Sequence, residues 1–100
     1  RVHHLNFVGF NLNRTGLPVD ISLFPNLEIL DLRDNDLKKL SKEIILRIKD
    51  GLDVRLSGNE RLKAPPDIIY KEGPEAIKAY FNELAKDYGG WAGVAKKFGE

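Results

Sequence analysis

The stretch Leu27-Glu-Ile-Leu30-Asp-Leu32-Arg-Asp-Asn35-Asp-Leu37 fills every fixed position of the pattern L-x-x-L-x-L-x-x-N-x-L. The chain repeats it on both sides. Twenty-five residues earlier, Val2, Leu5, Phe7 and Leu12 hold four of the five positions, with Phe10 where the Asn belongs. Twenty-four residues later Val54, Leu56 and Asn59 recur, with Leu62 one place beyond the expected Arg61 and Gly51 at the first position. A unit this short holds one strand and one return segment. It cannot bury its own apolar face, so the copies must stack.

Each residue type has a physical reason. Leu30 and Leu32 alternate with polar positions, which buries one face of a short strand. Leu27 and Leu37 flank it and turn into the same core. Asn35 and Asn59 offer a carbonyl acceptor and two amide donors, which suits them to satisfy main-chain groups of an adjoining turn. The spacing predicts three parallel strands near 4–8, 29–33 and 53–57. Return segments run through Leu17, Ile21 and Phe24 and through Leu40, Ile44, Ile45 and Ile48, the latter at helical spacing behind a Ser41 cap.

This pattern resembles the leucine-rich-repeat family over roughly residues 2–64. The following stretch sharpens the likeness. Leu56-Ser-Gly-Asn59-Glu-Arg-Leu62-Lys-Ala-Pro65-Pro66-Asp-Ile68-Ile69, then Gly73-Pro-Glu-Ala76-Ile77-Lys-Ala-Tyr80-Phe81, is similar to the last repeat and closing helix of intracellular members, including Roco GTPases and related scaffolds. Two departures are Glu60, where Pro often follows the Asn, and the extra residue before Leu62. The resemblance implies an α/β fold: a short right-handed leucine-rich-repeat solenoid of about three parallel strands with C-terminal capping helices.

The chain therefore divides into repeats over 1–64, capping helices over 65–88, and residues 89–100 as a tail or the start of a further module. Pro65-Pro66 stops any strand, Gly73 suits a left-handed helix end, and Pro74 suits a first helical turn. From Pro74 to Tyr88, the residues Ile77, Tyr80, Phe81, Leu84 and Tyr88 share one face, which fits a cap over the open end of the core. Gly89-Gly90 breaks that helix. Trp91, Val94, Ala95 and Phe98 then resume helical spacing, either as a second helix folded back on the cap or as the first of a death-type or DNA-binding module.

No catalytic constellation is visible. His3 and His4 are adjacent, so on a strand they face opposite ways, one half-buried and one exposed, and cannot chelate together. Asp34-Asn35-Asp36 lacks the Gly and distal Glu of a calcium loop and reads as a repeat turn. No P-loop occurs, the serines have no nucleophile-elbow context, and cysteine is absent. No enzyme activity, cofactor or metal is expected. Asn13-Arg-Thr15 is a sequon that matters only in a secreted protein. Sixteen basic residues against fifteen acidic ones give a net charge of +1, which offers no electrostatic case for nucleic acid or an anionic membrane. The lack of cysteine favours a reducing, cytoplasmic setting. The opening Arg-Val-His-His, without a Met, reads as the edge of a piece of something longer.

Three functions fit. The first is a protein-interaction scaffold in signalling, the second a regulatory segment of a Roco-type GTPase, the third an adaptor leading into a helical module. In the first, positions between the structural leucines face a concave surface. Aligning the copies places His4, Ile29 and Asp53 in one row, Asn6, Asp31 and Arg55 in the next, and Val8, Arg33 and Ser57 in the third. Arg33 and Arg55 would anchor an acidic or aromatic feature of a protein partner. Alternatively, the middle row forms its own ion-pair ladder. No small-molecule substrate is expected on such a surface. The end formed by Val2, Leu5 and Phe7 has no polar cap, so it should be partly exposed or covered by a second copy.

Overall fold

The computed structural model describes residues 2–100; the side chains of Arg14 and Thr15, and with them the sequon, lie outside the described residues. The three copies lay down one parallel sheet in sequence order, β1 (His4–Asn6), β2 (Ile29–Asp31) and β3 (Asp53–Arg55). Register follows the repeat spacing: His4 aligns with Ile29 and Asp53, Leu5 with Leu30 and Val54, Asn6 with Asp31 and Arg55. Leu30 and Val54 point into the core, with Leu32 and Leu56 close behind them.

Each strand is three residues long, shorter than the five predicted. Copy-to-copy hydrogen bonding nonetheless continues past the strand ends. Phe7 N–H donates to Asp31 O, Gly9 N–H to Arg33 O, Leu32 N–H to Arg55 O and Asp34 N–H to Ser57 O, at 2.9–3.0 Å. The extended geometry ends because Gly9, Asp34 and Gly58 take positive φ of 70°, 60° and 86° and turn the chain inward. Gly58 also permits a close approach. A Cβ there would lie 2.9 Å from both Cα and N of Asp34, in the turn of the copy before it.

Two buried asparagines tie those turns together. Asn35 Oδ1 accepts from Phe10 N–H and Leu12 N–H at 2.9 and 3.2 Å, while its Nδ2 donates to the carbonyls of Phe7, Leu32 and Arg33. Asn59 repeats the arrangement one copy on. Its Oδ1 accepts from Asn35 N–H and Leu37 N–H, and its Nδ2 donates to Leu32 O and Leu56 O. Each amide serves the turn of the preceding copy. Phe10, at the same place in the first copy, has no amide to offer and is exposed.

The return segments differ between copies. The first uses a short helix α1 (Leu12–Thr15) and a single 3₁₀ turn at Ile21–Leu23, where Asp20 Oδ1 caps Ser22 N–H at 3.0 Å. The second is helix α2 (Lys42–Lys49), capped by Ser41 Oγ on Ile44 N–H, with Ile44, Ile45 and Ile48 buried. Arg47 reaches from α2 to the carbonyls of Ile21 and Phe24 at 3.0 and 2.9 Å, tying the second return segment to the first.

After Leu62 the chain closes the far end with α3 (Asp67–Tyr70), α4 (Pro74–Tyr88) and α5 (Trp91–Phe98). Ile77 and Phe81 of α4 are buried, and Gly89 ends the helix in the left-handed region. Gly73 takes φ 105° and ψ −178°, so it is the residue before α4 and not the left-handed end expected of it; Lys71 ends α3. Residues 91–100 belong to this same core. α5 packs against both α4 and α2, buries Val94 and Ala95, and sets Trp91 tilted against Phe81 and Phe98 edge-to-face with Tyr88, with centroids 6.0 and 5.2 Å apart. The chain end then returns to the second copy, where Glu100 N–H donates to Leu40 O and Lys42 N–H to Glu100 O. At the opposite end, Val2, Phe10 and Leu23 are exposed, while Leu5 and Phe7 are half-buried.

Candidate functional site

Opposite the core-facing Leu5, Leu30 and Val54, the sheet presents the alternate positions of all three strands. The register brings together the rows His4–Ile29–Asp53 and Asn6–Asp31–Arg55. His4, Asn6, Arg33, Arg55 and Ser57 are exposed, and Val8, Ile29 and Asp53 are half-buried. Asn6 is partly occupied, because its Oδ1 accepts Val8 N–H at 3.1 Å.

Asp31 is not an exposed contact residue: it is 1% exposed. Its carboxylate is covered by Arg33, whose Nε donates to Oδ1 at 2.8 Å and whose Nη2 donates to Oδ2 at 2.7 Å. Residues two apart on extended backbone share a face, so Arg33 folds back over its own strand neighbour. That pairing stands in place of the ion-pair ladder along the middle row, the alternative to partner binding. Arg55, the row neighbour, instead lies 3.5 Å from Asp53 with no hydrogen bond between them. The Arg33 hydrogen bond holds the Asp31 carboxyl below its ordinary pKa, against burial, with the charge of Arg55 adding in the same direction. Asp31 raises the Arg33 guanidinium in turn. A bidentate, charge-assisted pair with one member buried holds the other in a fixed pose. Arg33 is therefore a positioned guanidinium, with its side chain still 46% exposed.

Beyond β3 the face deepens into a cavity of about 270 Å³, lined by Arg33, Asp53, Arg55 and Ser57 from the strands and by Tyr70, Gly73 and Pro74 from the closing helices. Tyr70 is 6% exposed, and its hydroxyl has no hydrogen-bond partner among the described residues. Burial pushes the phenol pKa up, and the charges of Glu60 and Asp67 act in the same direction. Sequence reasoning missed Tyr70, Gly73 and Pro74 as part of this surface. Pro74 is legible as a helix start and Gly73 as a helix end, but only the packing of α4 on β3 brings them to the strand face.

A larger cavity, about 570 Å³, lies among the turns after β2 and β3 and is lined by Lys38, Lys39, Glu60, Arg61 and Lys63. Arg61 spans it to Asp36 through two 2.8 Å hydrogen bonds, joining consecutive copies. Its lining residues are surface charges with no buried polar group among them, so size alone recommends it. The strand face has the better built chemistry.

The two histidines do not form a site. Both are exposed, in place of the expected half-buried and exposed pair, and His3 Nδ1 lies 2.9 Å from Glu28 Oε2 and 3.1 Å from Asn26 O. Among the described residues, no group of three His, Asp or Glu side chains is placed to hold a metal ion, and no helix is long and apolar enough to cross a membrane. Compared with known protein families, curated proteins and solved structures, the chain matches none.

Proposed function

We propose that this chain is a non-catalytic interaction module of the leucine-rich-repeat type, a short right-handed solenoid that binds a protein partner through its concave strand face. It acts as a scaffold element in a reducing, cytoplasmic setting. The observation that carries this reading is the strand register, which sets two three-residue rows side by side above a sheet whose other face is closed core. The rows carry the half-buried Ile29 and the exposed Asn6 and Arg55, and beside them lie the half-buried Val8 and the exposed Arg33 and Ser57. Mixed apolar and bidentate-capable groups of this kind suit protein recognition. The exposed Val2, Phe10 and Leu23 at the first copy add a second surface, suited to self-association.

The test is comparative capture from the cell of origin. The chain and an Asn6→Ala/Arg33→Ala/Arg55→Ala variant are immobilised at equal density, with their folds matched by circular dichroism. The reading expects at least one abundant partner to be lost from the variant. Identical partners in identical yield would remove the strand face from consideration. Sedimentation of a Phe10→Ser/Leu23→Ser variant tests the second surface: dissociation of a wild-type dimer supports it, and an unchanged mass contradicts it.

A further inference from the structure

We infer that the cavity between β3 and the start of α4 is a carboxylate pocket, taking the side chain of an Asp or Glu from the partner that crosses the strand face. This rests on the strand-face reading and adds the chemistry of the anchor. The observations that lead to it are independent of one another.

Arg33 and Arg55 both line the cavity. A guanidinium carries five N–H donors. Asp31 takes up the Nε–H of Arg33 and one N–H of Nη2, which leaves the rest of a rigidly held fork facing outward. The Arg55 guanidinium makes no hydrogen bond among the described residues; its ion pair with Asp53 is a loose one at 3.5 Å. Asp53 is the acidic residue on the cavity wall, 24% exposed on its side chain, and it is too far from Arg55 to saturate it. The facing wall is the N-terminus of a fifteen-residue helix whose cap, Gly73, provides no side chain to its free N–H groups. Pro74 has no N–H, so the open donors are those of Glu75 and Ala76. Tyr70, 6% exposed, packs into the same wall.

Apart from the Asp53 carboxylate, the polar groups left to bind on this wall are donors, and the two planar guanidiniums match a carboxylate's two oxygens. A side chain fits better than a chain terminus. The half-buried Ile29 and Val8 continue the surface across the sheet, so a bound segment has room on both sides of its anchor.

The experiment is an NMR titration of the full chain, following the Arg33 and Arg55 Nε–Hε signals and the Glu75 and Ala76 amides. The probe is a pentapeptide, Gly-Glu-Ile-Glu-Gly, blocked at both ends. Its Gln counterpart blocked at both ends, the same Gln peptide with a free C-terminus, and sodium phosphate at matched ionic strength are the comparisons. The inference expects saturable shifts of all four signals with the Glu peptide, at least tenfold weaker with the blocked Gln peptide and with Arg55→Gln. Equal binding of the Glu and blocked Gln peptides overturns it, as does equal binding to Arg55→Gln. Preference for the free C-terminus or for phosphate overturns the side-chain assignment. The two readings fail separately: partner capture lost in the strand-face variant but unaffected by Arg55→Gln alone leaves the strand face standing and removes the pocket.

Discussion

Asn59 Oδ1 accepts the main-chain N–H of Asn35 at 3.3 Å, so one buried asparagine holds the turn that carries the other. Each side chain is about as buried as a core leucine, at 0% and 1% exposure, and each is fully used as donor and acceptor. Asn35→Ala and Asn59→Ala each leave buried main-chain groups unpaired and should each cost roughly 1–3 kcal/mol. Urea unfolding monitored through Trp91 measures this; a loss below about 0.5 kcal/mol in both would contradict the role given to the amides.

Gly58 is placed to report on how closely consecutive turns pack. An Ala Cβ there would meet the Asp34 backbone at 2.9 Å, and φ of 86° is unfavourable for any L side chain. Gly58→Ala should destabilise by about 1–3 kcal/mol, whereas Gly51→Ala, with open space around it, bears only the backbone term of about 1 kcal/mol. Comparable midpoints for the two variants would show that the turns are not held this tightly.

The Asp31 carboxyl gives a pH prediction. Its folded pKa lies below the ordinary value because Arg33 hydrogen-bonds the ionised form. A group depressed in this way stabilises the fold above its unfolded pKa, near ~3.9, and loses that contribution as pH falls through the lower folded value. Asp31→Asn should therefore be less stable than the parent at neutral pH, by a margin constant down to about pH 5 that closes in acid. A margin that grows on acidification would reverse the sign of the argument.

Phe81 of α4 sits at 0% exposure, with its ring against Tyr80 of the same helix and Trp91 of α5. Phe81→Ala should cost about 3–5 kcal/mol. A chain ending before Pro74 should lose its cooperative melt, since α4 and α5 together cover the open end of the repeats. A truncated chain that stays monomeric with an unchanged Tm contradicts the capping role.

Several features were readable from residues alone. The sheet register follows from the 25- and 24-residue spacing, because each copy returns its apolar strand residue, Leu5, Leu30 or Val54, to the same depth. Helix α4 was marked at both ends by Pro74 and Gly89, and α2 by Ser41. The strand lengths were not readable, because they depend on positive φ at Asp34 as well as at two glycines, and Asp gives only a weak signal for that conformation. Asp31 was misread by looking across the strands to Arg55. The nearer partner, Arg33, was available from the two-residue alternation of a strand. The contribution of Tyr70, Gly73 and Pro74 to the cavity, and the return of Gly99 and Glu100 to Leu40, depend on long-range packing that no local pattern encodes.

The most direct test of a strand-face interaction surface is site-specific photocrosslinking in the cell of origin. A photoreactive residue replaces in turn His4, Asn6 or Ser57 on the strand face, and Ile68, Asn82 or Lys96 on exposed positions of the closing helices. The account predicts one common adduct from the three strand-face positions and none of that mass from the helix positions. The same adduct from Ile68, Asn82 or Lys96, with none from the strand face, would contradict it.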